Sequence, residues 1–233
     1  MAAAGTIYCI SGLGADEKVF RHIHIEGYSL VHLPYFRPVR NETISAYALR
    51  MADKILEEDP VILGLSFGGM LAIEIAKQKK AGRIIIISAP KTLYEIPRWM
   101  RIAGNLYLHR ILPVKTNRFT ERADDRRMGI VSKEEKKMVD GYRKTADHVQ
   151  VNWAIDQVLR WKNRFVPENL IHIHGSDDRM FPVKKIMPTH LIEGGSHIMI
   201  FNRGEEIGKC IEEIMLVGSK NKSQRPGEHG RSQ

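Results

Sequence analysis

The chain has 233 residues, of which 43% are hydrophobic, enough for one well-buried α/β domain with a sizeable insertion and too few for two full-sized domains. Its formal net charge of +9 is concentrated in residues 91–165 (+8) and 217–233 (+3), whereas the remainder carries −2. No segment reaches the roughly eighteen uninterrupted apolar residues of a membrane span, and the N-terminus lacks the features of a secretory signal, so we expect a cytoplasmic protein without a transmembrane segment.

Strands and helices alternate along the first ninety residues. Short apolar runs predict strands at 6–10, 29–33, 61–65 and 83–88. Helices are predicted at 15–25, after the N-cap Thr43, and directly after residue 66. The run at 83–88 is almost entirely β-branched, which is typical of a strand covered on both faces and so predicts the centre of a sheet.

Between residues 89 and 166 the strand pattern disappears. Helices are predicted near 97–112, 115–128, 132–144 and 147–161, and Ser132 with Glu135 forms a capping box for the third. The large apolar residues of this insertion are predicted either to line a substrate cavity or simply to pack. They are Trp99, Ile102, Leu106, Tyr107, Trp153 and Trp161.

The strand pattern resumes at 169–174 and 189–192, and a helix is predicted at 202–216 with Asn202 and Glu205 as its capping box. Repeated strand and helix units predict an α/β fold with a mostly parallel sheet of about six strands flanked by helices. The predicted organisation is a core of residues 1–90 and 166–216, a helical cap at 91–165, and a disordered basic tail at 217–233.

The segment Gly64-Leu-Ser-Phe-Gly68 puts a serine at the turn between a buried strand and a helix. That is the geometry of a nucleophile elbow, in which Ser66 exposes its hydroxyl at the sheet edge. Strand and helix pass close together there, so positions 64 and 68 are expected to require glycine, because a larger side chain would clash. The Gly-x-Ser-x-Gly pattern is common by chance, so the surrounding strand and helix carry the inference.

A serine hydroxyl is a poor nucleophile and needs a base, which in turn needs an orienting partner. A carboxylate, Asp177 or Asp178, follows the strand at 169–174, and His197 follows the last strand. Because the carboxyl ends of parallel strands share one edge, these groups are expected to converge on Ser66. His172 and His174 alternate with isoleucines on one strand face and are expected to be packed or hydrogen-bonded residues.

These motifs resemble those of the α/β-hydrolase fold superfamily, specifically small cytoplasmic serine hydrolases with a helical cap. The resemblance spans residues 6–216 and rests on Gly64–Gly68, on 175–178 followed by Phe181 and Pro182, and on 195–197. It implies Ser66 as nucleophile, His197 as general base and then acid, and Asp178, preferred to Asp177, as the orienting acid.

The same resemblance implies an oxyanion hole formed by the amides of Phe67 and Leu13. The chain departs from the family pattern at two positions in this region: Ser11 and Leu65 stand where histidine is usual or frequent. Backbone amides, and not these side chains, contact the oxyanion. The departures therefore affect which residue is expected to supply the second amide, and they hardly affect the assignment of the triad.

The predicted function is therefore hydrolysis of a carboxylic ester or thioester through an acyl-enzyme, with no cofactor and no metal. The basic insertion favours an anionic acyl substrate, although such charge also suits a plain solvated face. The alternatives are a carbon–carbon bond hydrolase, lyase or acyltransferase on the same fold, or a non-catalytic small-molecule receptor. No nucleic-acid motif is present, so that partner is not expected.

Overall fold

The computed structural model describes residues 5–107 and 118–223, and within them six strands form one parallel sheet in the order β2-β1-β3-β4-β5-β6. The predicted sheet is confirmed, and each predicted strand agrees with its observed bounds to within one residue. The strands are β1 (Gly5–Ile10), β2 (Tyr28–His32), β3 (Val61–Leu65), β4 (Arg83–Ile87), β5 (Leu170–Gly175) and β6 (His190–Ile192).

The described parts of the chain contain seven α-helices that flank this sheet. They are α1 (Ile44–Ala52), α2 (Phe67–Ala76), α3 (Arg98–Asn105), α4 (Arg118–Met128), α5 (Lys133–Thr145), α6 (His148–Arg160) and α7 (Gly204–Ser223). Helices α3 to α6 all lie between β4 and β5, in the part of the chain predicted as a cap. Each helix in the described ranges is too short or too polar to traverse a lipid bilayer.

The central strand β4 shows why the sheet is buried on both faces. Ile84 and Ile86 enter one apolar cluster with side chains of α1 and α2, and Ile85 and Ile87 enter a second cluster with side chains of α7. Successive residues of a strand point to opposite faces, so a continuous isoleucine run supplies both layers. All four side chains are fully buried.

The prediction of a helix at 15–25 is wrong. Only a short 3-10 turn, Glu17–Phe20, forms there, and the chain continues in an irregular course to β2. Ile23 and Ile25 are buried while His22 and His24 are exposed. This alternation of buried and exposed side chains is typical of an extended chain and not of a helix. The backbone at His22 and His24 packs so closely on α7 that a Cβ at Gly204 or Gly208 would overlap it.

The last helix also differs from its prediction. Its first residue is Gly204, and the Asn202 side chain does not cap it but donates a 2.9 Å hydrogen bond to Oε1 of Glu135 in α5. The helix ends at Ser223, so 217–223, expected to be disordered, are helical; once a helix is nucleated, each further residue adds a backbone hydrogen bond. The rest of the predicted tail, 224–233, lies outside the described residues.

Two further boundaries concern the insertion. Helix α3 ends at Asn105, although the sequence predicted a helix to residue 112, and 108–117 lie outside the described residues. The capping box of α5 is confirmed: the Glu135 amide donates to Ser132 Oγ at 3.0 Å, and the Ser132 amide donates back to Glu135 Oε2 at 2.9 Å.

Candidate active site

Ser66 occupies the single residue between the end of β3 and the start of α2. Its backbone has φ 52° and ψ −115°, a region that a residue with a side chain rarely adopts and that costs on the order of 1–3 kcal/mol. The Ser66 amide donates a 2.8 Å hydrogen bond to the Ile87 carbonyl of β4, which ties the strained turn to the neighbouring strand. The strain is therefore supported by the sheet itself.

The two glycines of the elbow are required by close backbone contacts. A Cβ on Gly64 would overlap the carbonyl of Gly68. A Cβ on Gly68 would overlap the carbonyls of Ile10, the last residue of β1, and of Ser11, the first residue of the loop that follows. The first turn of α2 consequently lies directly against β1 and β3. This contact sets the position of the Ser66 hydroxyl relative to the loop that follows β1.

The structure brings the three predicted side chains of the triad together. Ser66 Oγ lies 3.0 Å from His197 Nε2, and His197 Nδ1 lies 2.9 Å from Asp178 Oδ2. Ser66 and His197 are 131 residues apart in sequence, yet both follow carboxyl ends of strands, as does Asp178. His197 and Asp178 are buried, whereas Ser66 is partly exposed.

Asp178, and not its neighbour Asp177, contacts the histidine. The Oδ1 atom of Asp178 accepts hydrogen bonds from the amides of Met180 at 2.8 Å and Phe181 at 2.9 Å, which leaves Oδ2 directed at His197. Asp177 is exposed, and its amide donates to the Gly195 carbonyl at 2.9 Å. The two adjacent aspartates thus have different roles: one faces the imidazole, and the other braces the two loops.

A second histidine lies behind the acid. His174 is fully buried at the end of β5, with Nε2 2.8 Å from the Phe181 carbonyl and 3.5 Å from Asp178 Oδ2. Burial lowers the pKa of His174, so its ring is neutral, and two acceptors beside Nε2 place the proton on that nitrogen. The sequence predicts a packed or hydrogen-bonded histidine at this position, and His174 is hydrogen-bonded; its proximity to Asp178 was not predicted.

The loop after β1 lies beside Ser66 and is held by side-chain hydrogen bonds. Ser11 Oγ donates to the Ala15 carbonyl at 2.7 Å, and the Tyr35 hydroxyl donates to the Ser11 carbonyl at 2.7 Å. Sequence reasoning gave Tyr35 no role, because only the folded chain brings the loop after β2 against that after β1. A Cβ on Gly12 would lie 3.7 Å from that of Ser66, so this loop borders the nucleophile.

The two amides predicted for an oxyanion hole therefore belong to segments that flank Ser66. Phe67 is the first residue of α2, and the amide of a first helical residue has no acceptor within its own helix. Leu13 follows Gly12 in the loop and is partly buried against the core. Helix-start amides are suited to a developing negative charge.

Aromatic side chains connect the helical insertion to the elbow. Trp153 of α6 packs edge-on to Phe67 with ring centroids 5.9 Å apart, and its Nε1 donates to the Glu42 carbonyl at 2.8 Å. Trp161 is buried and donates to Oε1 of Glu74 in α2 at 2.7 Å. These two tryptophans pack against the core, whereas the side chains of Trp99, Ile102 and Leu106 are more than half exposed.

The arrangement is suited to proton transfer between a hydroxyl and an imidazole. A neutral His197 can accept the Ser66 proton at Nε2 while Asp178 holds the proton on Nδ1, and the buried carboxylate stabilises the imidazolium that results. Within the described parts of the chain, His, Cys, Asp and Glu side chains form no group of three that could hold a metal ion.

Comparisons with known proteins agree with the observed fold. The model of the alpha/beta hydrolase family matches residues 7–208. No curated protein matches the chain. Among solved structures, a malate-bound thermophilic esterase from Thermogutta terrifontis is similar, with a TM-score of 0.67, 12% identity and coverage of 94% of this chain and 92% of that chain.

Two further structures are similar over nearly their whole lengths. A carboxylesterase from the thaumarchaeon Nitrososphaera gargenis has a TM-score of 0.60 and 16% identity, and covers 95% of this chain and 93% of its own. A bromoperoxidase from Bacillus anthracis has a TM-score of 0.62 and 14% identity, with coverage of 94% and 93%. At such identities the likeness shows the fold alone, but the family match covers most of the sequence, and the chain belongs to the alpha/beta hydrolase family.

Proposed function

We propose that the protein hydrolyses a carboxylic ester or thioester by a two-step acyl-enzyme mechanism. The single observation that carries the proposal is the continuous hydrogen-bonded series from Ser66 Oγ to His197 at 3.0 Å and from His197 to Asp178 at 2.9 Å. Two of the similar structures are described as esterases, which supports the same chemistry without specifying a substrate.

In the first step, Ser66 Oγ attacks the carbonyl carbon of the substrate and its proton passes to His197 Nε2. The carbonyl oxygen becomes an oxyanion, for which the Phe67 and Leu13 amides are the proposed donors. The intermediate collapses, the bond to the alcohol or thiol breaks, and His197 returns the proton to that leaving group. Water then attacks the acyl-enzyme with His197 as base and releases the acid.

The charge of the insertion indicates a class of substrate. The surplus of positive charge in residues 91–165 supports a small anionic acyl donor, which includes acyl thioesters with a charged carrier. Turnover of a panel of acyl esters and acyl thioesters with graded chain length and charge would define both the bond and the pocket.

Ser66→Ala is the direct test. We expect it to lower kcat for an activated ester by at least about ten-thousandfold while leaving the unfolding midpoint within a few degrees of wild type. Ser45→Ala, on α1, where the Ser45 carbonyl contacts Gln78 beyond the end of α2 that points away from Ser66, is the matched control and should keep full activity. Wild-type turnover by Ser66→Ala would refute the proposal.

Covalent labelling separates an enzyme from a non-catalytic receptor with the same side chains. A fluorophosphonate forms a bond between Ser66 Oγ and phosphorus with loss of fluoride only if the serine is activated. We expect stoichiometric labelling of the wild-type protein and none of Ser66→Ala. Failure of the wild-type protein to label would favour the receptor alternative.

A further inference from the structure

Helix α3 presents a stripe of apolar side chains to solvent. Trp99, Ile102 and Leu106 follow each other at spacings of three and four residues, so they share one face, and they are 52%, 56% and 59% exposed. The opposite side is fixed to the protein: Met100 and Gly104 are buried, and a Cβ on Gly104 would overlap the Leu159 carbonyl of α6. Single exposed apolar residues are ordinary, but a contiguous stripe indicates an interaction surface.

The charged groups on the same helix are arginines. Arg98 and Arg101 both lie to one side of the stripe, Arg98 exposed and Arg101 half-buried, and residues 96–107 contain no aspartate or glutamate. The preceding acid, Glu95, is buried and paired with Lys91 at 2.7 Å. We call Arg98, Trp99, Arg101, Ile102 and Leu106 together the α3 surface.

Arginines from other parts of the chain lie over aromatic rings near this surface. The guanidinium of Arg127 lies 4.8 Å from the ring centroid of Trp99, and that of Arg160 lies 4.7 Å from that of Tyr107. An amphipathic helix with aromatic and aliphatic residues on one face and arginines beside them suits the boundary between lipid headgroups and acyl chains. A nucleic acid would use the arginines and rings but gain little from Ile102 and Leu106.

The α3 surface is connected to the triad through short contacts. Arg127, over the Trp99 ring, lies at the end of α4, two residues before Gly129. The backbone at Gly129 lies so close to Ser196 that a Cβ would overlap that side chain, and Ser196 directly precedes His197. The stripe therefore lies on the side of the protein that carries the catalytic histidine.

From these observations we propose that the α3 surface docks the protein onto the surface of a bilayer that contains anionic lipids. Trp99, Ile102 and Leu106 enter the headgroup region, and Arg98 and Arg101 contact the lipid phosphates. Charge complementarity selects anionic over zwitterionic lipid, and the aliphatic stripe selects a bilayer over a purely ionic partner. The proposal concerns binding and does not depend on the hydrolytic activity proposed above.

Sedimentation with vesicles tests this docking. The full chain carrying Ser66→Ala is used, so that hydrolysis of lipid cannot alter the vesicles. We expect binding to vesicles of phosphatidylcholine mixed with phosphatidylglycerol, weaker binding in high salt, and little binding to phosphatidylcholine alone. Trp99→Ser with Ile102→Ser should weaken binding at least about tenfold, since two exposed apolar side chains no longer insert.

Arg98→Gln with Arg101→Gln should weaken binding to the anionic vesicles by about twenty-fivefold, roughly fivefold for each arginine. The matched control is Leu56→Ser with Met187→Ser, which removes two scattered apolar side chains that are 87% and 86% exposed. This control should bind as tightly as the parent protein.

The proposal is overturned if the parent protein does not sediment with anionic vesicles, or if the control variant loses as much binding as the α3 variants. Self-association or nucleic-acid binding through the α3 surface, without vesicle binding, would overturn it too. The same substitutions in the protein with Ser66 intact should leave turnover of a soluble, uncharged ester within about twofold of wild type, because such an ester does not depend on the positive charge of the insertion. That assay separates a failure of docking from a failure of the proposed hydrolysis.

Discussion

The carboxyl edge of the sheet and the helical insertion between β4 and β5 hold their charged side chains in contrasting ways. At the edge, Asp178 is buried and accepts two backbone hydrogen bonds besides its contact with His197. In the insertion, Lys136 and Arg143 share Asp125 and Asp140 in a network whose side chains remain partly exposed. Buried groups with fixed partners set a geometry, whereas exposed ion pairs each contribute little.

This contrast indicates where substitutions should matter. The edge requires particular atoms at particular positions, because the strained Ser66 backbone, the elbow glycines and the triad are held by direct backbone contacts. Trp153 and Trp161 join the insertion to the core, and Gly129 contacts the loop that carries His197, but the charged side chains on the outer faces of the insertion take no part in the triad. Substitutions at the edge of the sheet are thus expected to change turnover, and substitutions on the outer faces of the insertion are expected to change surface binding.

The largest expected effect is that of Asp178→Asn. The amide side chain cannot stabilise the imidazolium and favours the wrong tautomer of His197, so kcat for an activated ester should fall by about ten-thousandfold. Asp177→Asn, one residue away and exposed, is the matched control and should change kcat by less than about threefold. Equal losses in the two variants would contradict the assignment of Asp178.

A pair of glycine substitutions compares the two regions directly. Gly68→Ala should cost about 3 kcal/mol or more of the free energy of unfolding, because its methyl group would overlap the Ile10 carbonyl. Gly141→Ala, on exposed α5 with no atom within 4 Å of the new methyl group, should stabilise the protein by about 0.5–1 kcal/mol. Urea unfolding of the three proteins measures both changes.

If Gly68→Ala unfolds the protein completely, the free energy of unfolding of Gly141→Ala still shows how tightly the insertion is packed, because this substitution lies in α5 and not at the elbow. A destabilisation by Gly141→Ala would show that the insertion is packed as tightly as the elbow, contrary to the contrast between the two regions.

Acid should destabilise the protein through the buried histidines of β5. Burial, with lesser contributions from His174 and Lys91, lowers the pKa of His172 to about 2. Between that value and the ordinary 6.5 the unfolded chain binds a proton that the native state does not, so stability rises with pH across this window and is lost as pH falls. For His172 alone the free energy of unfolding should drop by about 2 kcal/mol between pH 7 and pH 5.

Replacement of His172 by leucine should remove that share of the acid loss, measured as the free energy of unfolding in urea at pH 7 and at pH 5. A smaller dependence should remain, because burial also lowers the pKa of His174. His24→Gln removes an exposed histidine and is the matched control, and the difference between the two variants isolates the share that comes from the buried ring. An acid loss in His172→Leu as large as in wild type would contradict the assignment.

The strands were predictable because each is a short apolar run bounded by turn residues, and their parallel order followed from alternation with helices. The approach of Ser66, His197 and Asp178 was predictable for a related reason: each follows a strand, and parallel strands share one carboxyl edge. The choice between Asp177 and Asp178 came from the resemblance and not from the residues themselves.

Other features depend on contacts that no local pattern specifies. The segment 15–25 has helix-compatible residues, but close packing on α7 imposes an extended course at His22 and His24. Asn202 precedes a glutamate by three residues, yet its amide reaches Glu135, 67 residues away. The support that Tyr35 gives to the loop after β1 likewise joins two segments that are distant in sequence, so only the folded chain reveals it.

The smallest effect is expected at the start of α5 in the insertion. Ser132→Ala removes the oxygen that accepts the Glu135 amide at 3.0 Å, so the free energy of unfolding should fall by about 1 kcal/mol, the usual contribution of an N-cap. Ser45→Ala, at a half-buried position in the first turn of α1, should change it by less than about 0.5 kcal/mol. Turnover of a soluble ester should be the same in both variants. A loss of turnover in Ser132→Ala, at unchanged stability, would mean that the start of α5 helps position the triad, contrary to the expected division between the two regions.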